Sequence, residues 1–254
     1  MDELRPINPS KTIVIMENKT TLSFSSLKEF IKSPAHFIAY KKREYVESAS
    51  MRLGTAVHMA LLEPQRFINE YDVTDLRKNT KAYKEMAEEN PEITYMNNSD
   101  WATIQGIKRR FAQNLSAVDL LAHCKQREKE VKGEIHEVPF RGFVDAMSSS
   151  CIVDIKTTQD GSPEGFSRSV YNYGYHLQAA VYRELTGVDD YYIIAIENSS
   201  PYNVCIYKLS EGYLDKGFQM MTMGIAMFKE WDGEETGYQD EDRLQVLELP
   251  NWAK

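Results

Sequence analysis

Cysteine is scarce in this sequence. The 254 residues include three, Cys124, Cys151 and Cys205. An odd number with no Cys-x-x-Cys pair excludes a disulfide framework and a cysteine-rich zinc module, and it points to a reducing compartment. Long apolar runs are missing too. None reaches the roughly 18 residues that a membrane-spanning helix requires. The opening Met1-Asp2-Glu3-Leu4-Arg5-Pro6 has no basic segment followed by an apolar one, so no secretory leader is expected and the expected location is the cytoplasm. Internal repeats and low-complexity linkers are absent as well.

Positive charge is in deficit, with a formal net charge of −8. An acidic total argues at first against nucleic-acid binding, but the distribution matters. Residues 232–254 hold seven acids and two bases, so this acidic C-terminal tail carries most of the excess. The rest contains basic clusters, at Lys28, Lys32, Lys41, Lys42 and Arg43, and again at Lys108, Arg109, Arg110, Lys125, Arg127, Lys129 and Lys132. A local basic groove is compatible with that pattern, as are ordinary solvated helix faces.

Hydrophobic residues make up 42% of the chain, enough for a sizeable core. Periodicity predicts a strand at Thr12–Met16 and helices over Ser23–Lys42, with Ser25 or Ser26 as cap, Glu29 at capping-box spacing from Ser26, and a break at Ser33-Pro34. Further helices are expected at Arg52–Glu63, stopped by Pro64, at Thr80–Glu89 and at Asn98–His123. Glu130–Lys156 reads as three strands. Pro163–Thr186 is helical, Asp190–Asn198 and Asn203–Leu209 are strands, and Ser210–Trp231 is a long helix. Strands interleaved with helices give an α/β class, with a mixed central sheet flanked by helices and a helical N-terminal part. The expected organisation is one domain over 1–231, helical over 21–125 with a sheet core over 126–231, followed by the tail at 232–254.

The chemistry concentrates in the second and third of those strands. Gly142-Phe143-Val144-Asp145 ends one apolar run, and Asp154-Ile155-Lys156 follows Cys151-Ile152-Val153 in the next. Asp154 and Lys156, two apart on a strand, share a face, and Asp145 can face Asp154 across a hairpin turning at Ser148-Ser149-Ser150. An Asp-x-Lys triplet alone is common on surface strands. In so apolar a setting the charges need partners or a metal, and two acids with a lysine suit a divalent cation and phosphodiester hydrolysis. Three other segments fit that centre. His58 sits in the apolar helix Arg52–Glu63, where a core histidine is the plainer reading; Gly54 and Thr55 before it suggest close approach to another backbone. Gln178 and Tyr182 share a helix face, with Ala179 and Ala180 allowing close packing on a sheet. Ser23–Phe37 carries further polar residues, or is simply a capped surface helix.

These motifs together resemble the PD-(D/E)xK nuclease superfamily, in the branch of exodeoxyribonuclease VIII (RecE) and its phage relatives, akin to the RecB nuclease domain. The resemblance spans residues 21–231 and rests on ordered motifs. These are Ser-x-Ser-x-Leu at 23–27, Ser-Pro-Ala-His at 33–36, Arg-x-Gly-Thr-x-x-His at 52–58 with Leu-Leu-Glu-Pro at 61–64, Gly-Phe-Val-Asp at 142–145, Asp-Ile-Lys-Thr at 154–157 and Tyr-His-x-Gln-Ala-Ala-x-Tyr at 175–182. It implies a restriction-endonuclease-like core with Asp145 and Asp154 as metal ligands, His58 as a ligand or its positioner, Lys156 as catalytic lysine, and Gln178 with Tyr182 beside the site. Many superfamily members carry Glu where this chain has Asp154. An extra acid upstream of the first Asp is expected, at Glu130 or Glu134.

With that site, Mg²⁺, or Mn²⁺ in its place, would be held by Asp145, Asp154, the Ile155 carbonyl and His58. Lys156 would orient or deprotonate a water, and Gln178 would hold Lys156 or that water. The resemblance further implies digestion of linear double-stranded DNA from a free end, 5′ to 3′. That would give 5′-phosphate nucleotides and a 3′ overhang for recombination with a single-strand annealing protein, in a phage or prophage and as a ring-shaped homo-oligomer. An iron–sulfur nuclease of the RecB-like group would need four cysteine ligands, against three here. An inactive scaffold or DNA-binding protein keeping the same fold is the remaining alternative, and the intact Asp145, Asp154 and Lys156 weigh against it.

Overall fold

A computed structural model describes residues 20–44, 46–238 and 246–249. The strand expected at Thr12–Met16, and most of the acidic segment after 238, lie outside the described residues. The helical first half holds α1 (Phe24–Lys32), α2 (Pro34–Lys42), α3 (Ala49–Leu62) and α4 (Pro64–Glu70). Strand β1 (Tyr71–Val73), α5 (Lys81–Glu89), β2 (Thr94–Met96), α6 (Asn98–Gln113) and α7 (Leu115–His123) follow. The second half runs β3 (Gln126–Ile135), β4 (Val138–Met147), β5 (Cys151–Thr158), α8 (Pro163–Tyr173), α9 (Tyr175–Thr186), β6 (Asp190–Glu197), β7 (Val204–Lys208) and α10 (Glu211–Glu230).

Caps and breakers explain where the expected helices were misjudged. The cap of α1 is Ser23, not Ser25 or Ser26, and its box partner is Ser26 rather than Glu29. The Ser26 hydroxyl contacts the Ser23 amide at 2.7 Å, a shorter reach than a Glu would need. Ser33 caps α2, with Pro34 as its first residue as expected. Pro64 does not merely stop α3; it opens α4. The single helix expected over Asn98–His123 is two, because the Asn114 side chain accepts from the Ala117 amide and starts α7. Pro163–Thr186 is likewise split, at Gly174, whose φ of 74° is open to glycine at little cost. The short parallel pair β1–β2 had no counterpart in the sequence reading.

The main sheet has the order β3-β4-β5-β6-β7. All neighbours are antiparallel except β5 and β6, which run parallel through the α8–α9 crossover. Helices cover both faces. On one, Leu27, Phe30, Phe37, Leu177 and Met221 pack over Val144, Ile152 and Ile193. On the other, Val57, Phe67, Ile104, Ile107 and Leu121 pack over Ala146, Val153, Ile155 and Ile194. Burying alternate residues of β5 and β6 on opposite helix layers accounts for their nearly continuous apolar sequences. Helix α9, with Ala179 and Ala180 buried, packs against α10 at Gly217, where a Cβ would run into the His176 carbonyl. Among the described residues no helix is long and apolar enough to cross a membrane.

Candidate active site

Strand β4 changes face at Asp145: Val144 joins one core cluster and Ala146 the other. The β4–β5 ladder is recorded only at Ala146–Val153 and Met147–Ile152. The simple cross-strand pairing expected of Asp145 and Asp154 is therefore replaced by a reach along β5. The Asp145 carboxylate accepts the main-chain N–H of Ile155 at 2.7 Å, a buried bond standing in for the missing ladder. Helix α3 brings His58 to it, with Nδ1 3.5 Å from Asp145 Oδ2. His58 faces this carboxylate and is not a core histidine.

The upstream acid that lies beside Asp145 is Glu128; neither Glu130 nor Glu134 does. Glu130 points elsewhere and binds Arg141 at 2.9 Å, and Glu134 is exposed opposite Pro139. Ligand atoms of His58, Glu128 and Asp145 all lie within 4.8 Å of one another. The register puts Glu128 opposite Asp145, between the pairs Arg127–Ala146 and Lys129–Val144. Its φ is 43°, an unusual backbone for a non-glycine residue and a feature that clusters at functional sites. Loss of solvation, then the Asp145 carboxylate, push the Glu128 carboxyl above its ordinary range. Counting back from the β3–β4 turn would have found it. His136 and Glu137 form a two-residue turn with φ of 49° and 69°, which fixes the register. The absence of the usual Asn-Gly hid that turn.

Asp154 and Lys156 project together on β5, Nζ 2.7 Å from Oδ2. Gln178 of α9 donates to the other oxygen, Oδ1, at 3.2 Å. It thus holds Asp154 rather than Lys156. Burial pushes the Asp154 carboxyl up to about 6 against the pull of Lys156, and Asp145 adds to the rise. Burial would lower the Lys156 ammonium, but Asp154, Asp145 and Tyr175 outweigh it and hold it above its usual value. Nζ also lies 4.9 Å from the Tyr175 ring centroid. Tyr182, on the same face of α9, lies against Gly142, where a Cβ would fall 2.5 Å from its ring. This gives the glycine of Gly-Phe-Val-Asp a packing reason. Tyr175 stood in the 175–182 motif without a role, and the fully buried Tyr191 beside Asp154 was not singled out from the sequence.

The close backbone contact expected at Gly54 is not found. A Cβ on Gly54 would meet only the Thr157 hydroxyl, at 3.7 Å, so no backbone approaches it. Cys124 and Cys151, distant in sequence, meet at 3.6 Å between their sulfurs. The Ser23 and Ser33 motifs serve as helix caps.

A cleft of about 530 Å³ opens beside these groups, lined by Gly54, Thr55, His58, Arg66, Glu128 and Phe143. Arg66 is already bound to Glu63 and Glu70, at 2.6 and 2.8 Å. The donor set suits a divalent cation: two carboxylates and an imidazole converge, and buried Asp154 Oδ2 has no aligned hydrogen-bond donor. Asp154 itself stands outside the trio, engaged by Lys156 and Gln178.

Residues 23–237 match the family described as PDDEXK-like domain of unknown function (DUF3799). The chain belongs to this family. Its fold is shared by a protein of Eubacterium rectale provisionally named an exonuclease, at 16% identity and TM-score 0.63, with 97% of each chain covered. A phage-related exonuclease from Haemophilus somnus matches at 15% identity and TM-score 0.38, covering 83% of this chain and 94% of its own. An alkaline exonuclease from Laribacter hongkongensis matches at 9% and 0.30, covering 82% and 88%. No curated protein matches the sequence. By family and fold the chain is an enzyme of the PDDEXK nuclease class.

Proposed function

We propose that this chain is a divalent-metal-dependent exonuclease that hydrolyses linear double-stranded DNA. The observation that carries the reading is the convergence of His58, Glu128 and Asp145 beside the Asp154–Lys156 pair. A bound Mg²⁺ or Mn²⁺ would supply an acidified water and charge stabilisation at phosphorus. His58, Glu128 and Asp145 would hold it, with Asp154 and the Ile155 carbonyl on the β5 side. Lys156 keeps its proton in a site this acidic and offers it toward the attacking water or a phosphate oxygen. Gln178 fixes the Asp154 carboxylate, so that carboxylate and ammonium stay in register. Tyr182 packs behind β4 and sets the distance between α9 and Asp145.

The finer reading is 5′ to 3′ digestion leaving 5′-phosphate nucleotides and a 3′ overhang, for recombination with a single-strand annealing protein in the cytoplasm of a phage-carrying cell. An acidic chain holds DNA weakly by counterion release, so a closed ring enclosing the duplex is the assembly that supports repeated cleavage. The test is digestion of a linear duplex labelled at either end, with Mg²⁺, with Mn²⁺ and with chelator, beside the same DNA as a closed circle. Metal-dependent loss of the 5′ label from linear DNA alone supports the reading. Equal cutting of the circle, or no cutting with either metal, overturns it. Light scattering reads the ring: a monodisperse monomer rules it out.

A further inference from the structure

The parallel pair β1–β2 takes no part in the chemistry above, yet a second cavity of about 870 Å³ lies at its carboxyl ends. That volume is within the roughly 300–1,000 Å³ of small-ligand sites. Its walls carry the rings of Tyr71, Tyr83 and Tyr95 and the cations Arg52, Arg77 and Lys78. Tyr83 and Tyr95 meet edge to face at 6.3 Å between centroids and remain partly exposed. Arg77 and Lys78 form no ion pair among the described residues, and Arg52 spends its bond on the Glu47 carbonyl at 3.0 Å.

Glu47, Asp75 and Asp100 also face this space, so the formal charge of its walls is balanced. Net Coulomb attraction therefore does not select a polyanion here, and the rings decide. A duplex keeps its base faces covered by neighbouring pairs, whereas an unpaired base offers both to an aromatic ring. The amino end of α6 is closed to a phosphate, because Asn97 already accepts the Asp100 amide at 2.8 Å. Arg77 and Lys78 remain for that role. Helix α3 is a wall common to both cavities: Met51, Gly54 and Thr55 face the catalytic cleft and Arg52 faces this one.

We infer that this cavity binds an unpaired nucleotide of the DNA strand handled by the catalytic cleft, its base on Tyr83 and Tyr95 and its phosphate on Arg77 and Lys78. The inference rests on the DNA-exonuclease reading, and its test separates the two. Anisotropy of a labelled oligothymidylate, measured with chelator present, reads binding without cleavage. Hydrolysis of bis(p-nitrophenyl) phosphate reads the catalytic centre alone. Tyr95→Leu and Tyr83→Leu are each expected to weaken oligonucleotide binding about tenfold. Arg77→Ala, an exposed loop change that spares the packing, should weaken it less and flatten its salt dependence. Small-diester hydrolysis should stay at the wild-type rate in all three. Unchanged oligonucleotide affinity in Tyr95→Leu and Arg77→Ala overturns the site. Displacement by thymidine monophosphate as effective, per nucleotide, as by the oligonucleotide overturns it in favour of free product. Failure of the wild type to hydrolyse the diester with either metal counts against the nuclease reading and leaves the binding result to stand by itself.

Discussion

Asp145 Oδ2 accepts the Ile155 main-chain N–H at 2.7 Å and lies 3.5 Å from His58 Nδ1. One carboxylate thus serves both the fold and the cleft. Asp145→Ala orphans a buried amide, at a cost of about 1–3 kcal/mol, which works against any relief of its repulsion with Asp154. Asp145→Asn keeps an acceptor. Both variants should lose nearly all cleavage, but only Asp145→Ala should lower the melting temperature, by several degrees. Equal melting temperatures would show that the Ile155 bond contributes nothing.

Glu128 is exposed as a residue although its carboxyl is partly desolvated beside Asp145, so Glu128→Gln should leave stability within about 0.5 kcal/mol of wild type. Activity should fall about 10²-fold or more with loss of a ligand charge. Glu130→Gln, which breaks only the Arg141 pair, is the matched control and should cut normally. A normal Glu128→Gln enzyme would remove Glu128 from the site.

The mixed sheet and the strands that carry Asp145, Asp154 and Lys156 were legible because strand alternation is local. Ile152 and Val153 must part to opposite faces, and Asp154 and Lys156 must share one. What was not legible depended on distant partners. Glu128 could be told from Glu130 only through the register, set by a His136–Glu137 turn without turn-forming residues. The target of Gln178 depended on how α9 lies over β5, which no spacing encodes. Asn114 and Gly174 broke helices whose apolar periodicity ran through them. The β1–β2 pair is three residues long on each side, too short for any periodicity to show.

Three glycines separate packing from conformation. Gly54 is inside α3 with only Thr157 Oγ1 near, at 3.7 Å, so Gly54→Ala should stabilise by up to about 1 kcal/mol through helix propensity. Gly142→Ala must displace Tyr182, 2.5 Å away, and should cost about 1–3 kcal/mol. Gly217→Ala meets the His176 backbone, which cannot rotate aside, and should be the worst. Thermal melting of the three in parallel checks the order, and a stable Gly217→Ala would show that the α9–α10 packing is looser than described.

Burial pushes the Cys124 thiol up to about 12, and the neighbouring Cys151 adds to the rise. Little of Cys124 is thiolate near pH 8, and thiolate is the nucleophile. Iodoacetamide on the native protein should therefore modify Cys205, which is partly exposed, well before Cys124. Mass mapping after brief labelling decides it; early modification of Cys124 would mean that the α7–β5 junction opens.

Gln178 is buried on α9 and reaches the chemistry through Asp154 Oδ1, at 3.2 Å. It is a positioning residue, so its loss should appear in metal binding before it appears in substrate binding. Gln178→Leu keeps much of the volume and removes the donor. Affinity for Mn²⁺ by calorimetry should fall about 10–100-fold, the range for partners that orient ligands. Maximal rate should recover partly at high metal, with the Michaelis constant for DNA unchanged. Gln178→Asn, a shorter amide, should recover less than the wild type because it cannot span the same gap. If Gln178→Leu instead lowers the melting temperature while Mn²⁺ affinity holds, Gln178 merely fills the space between α9 and the sheet.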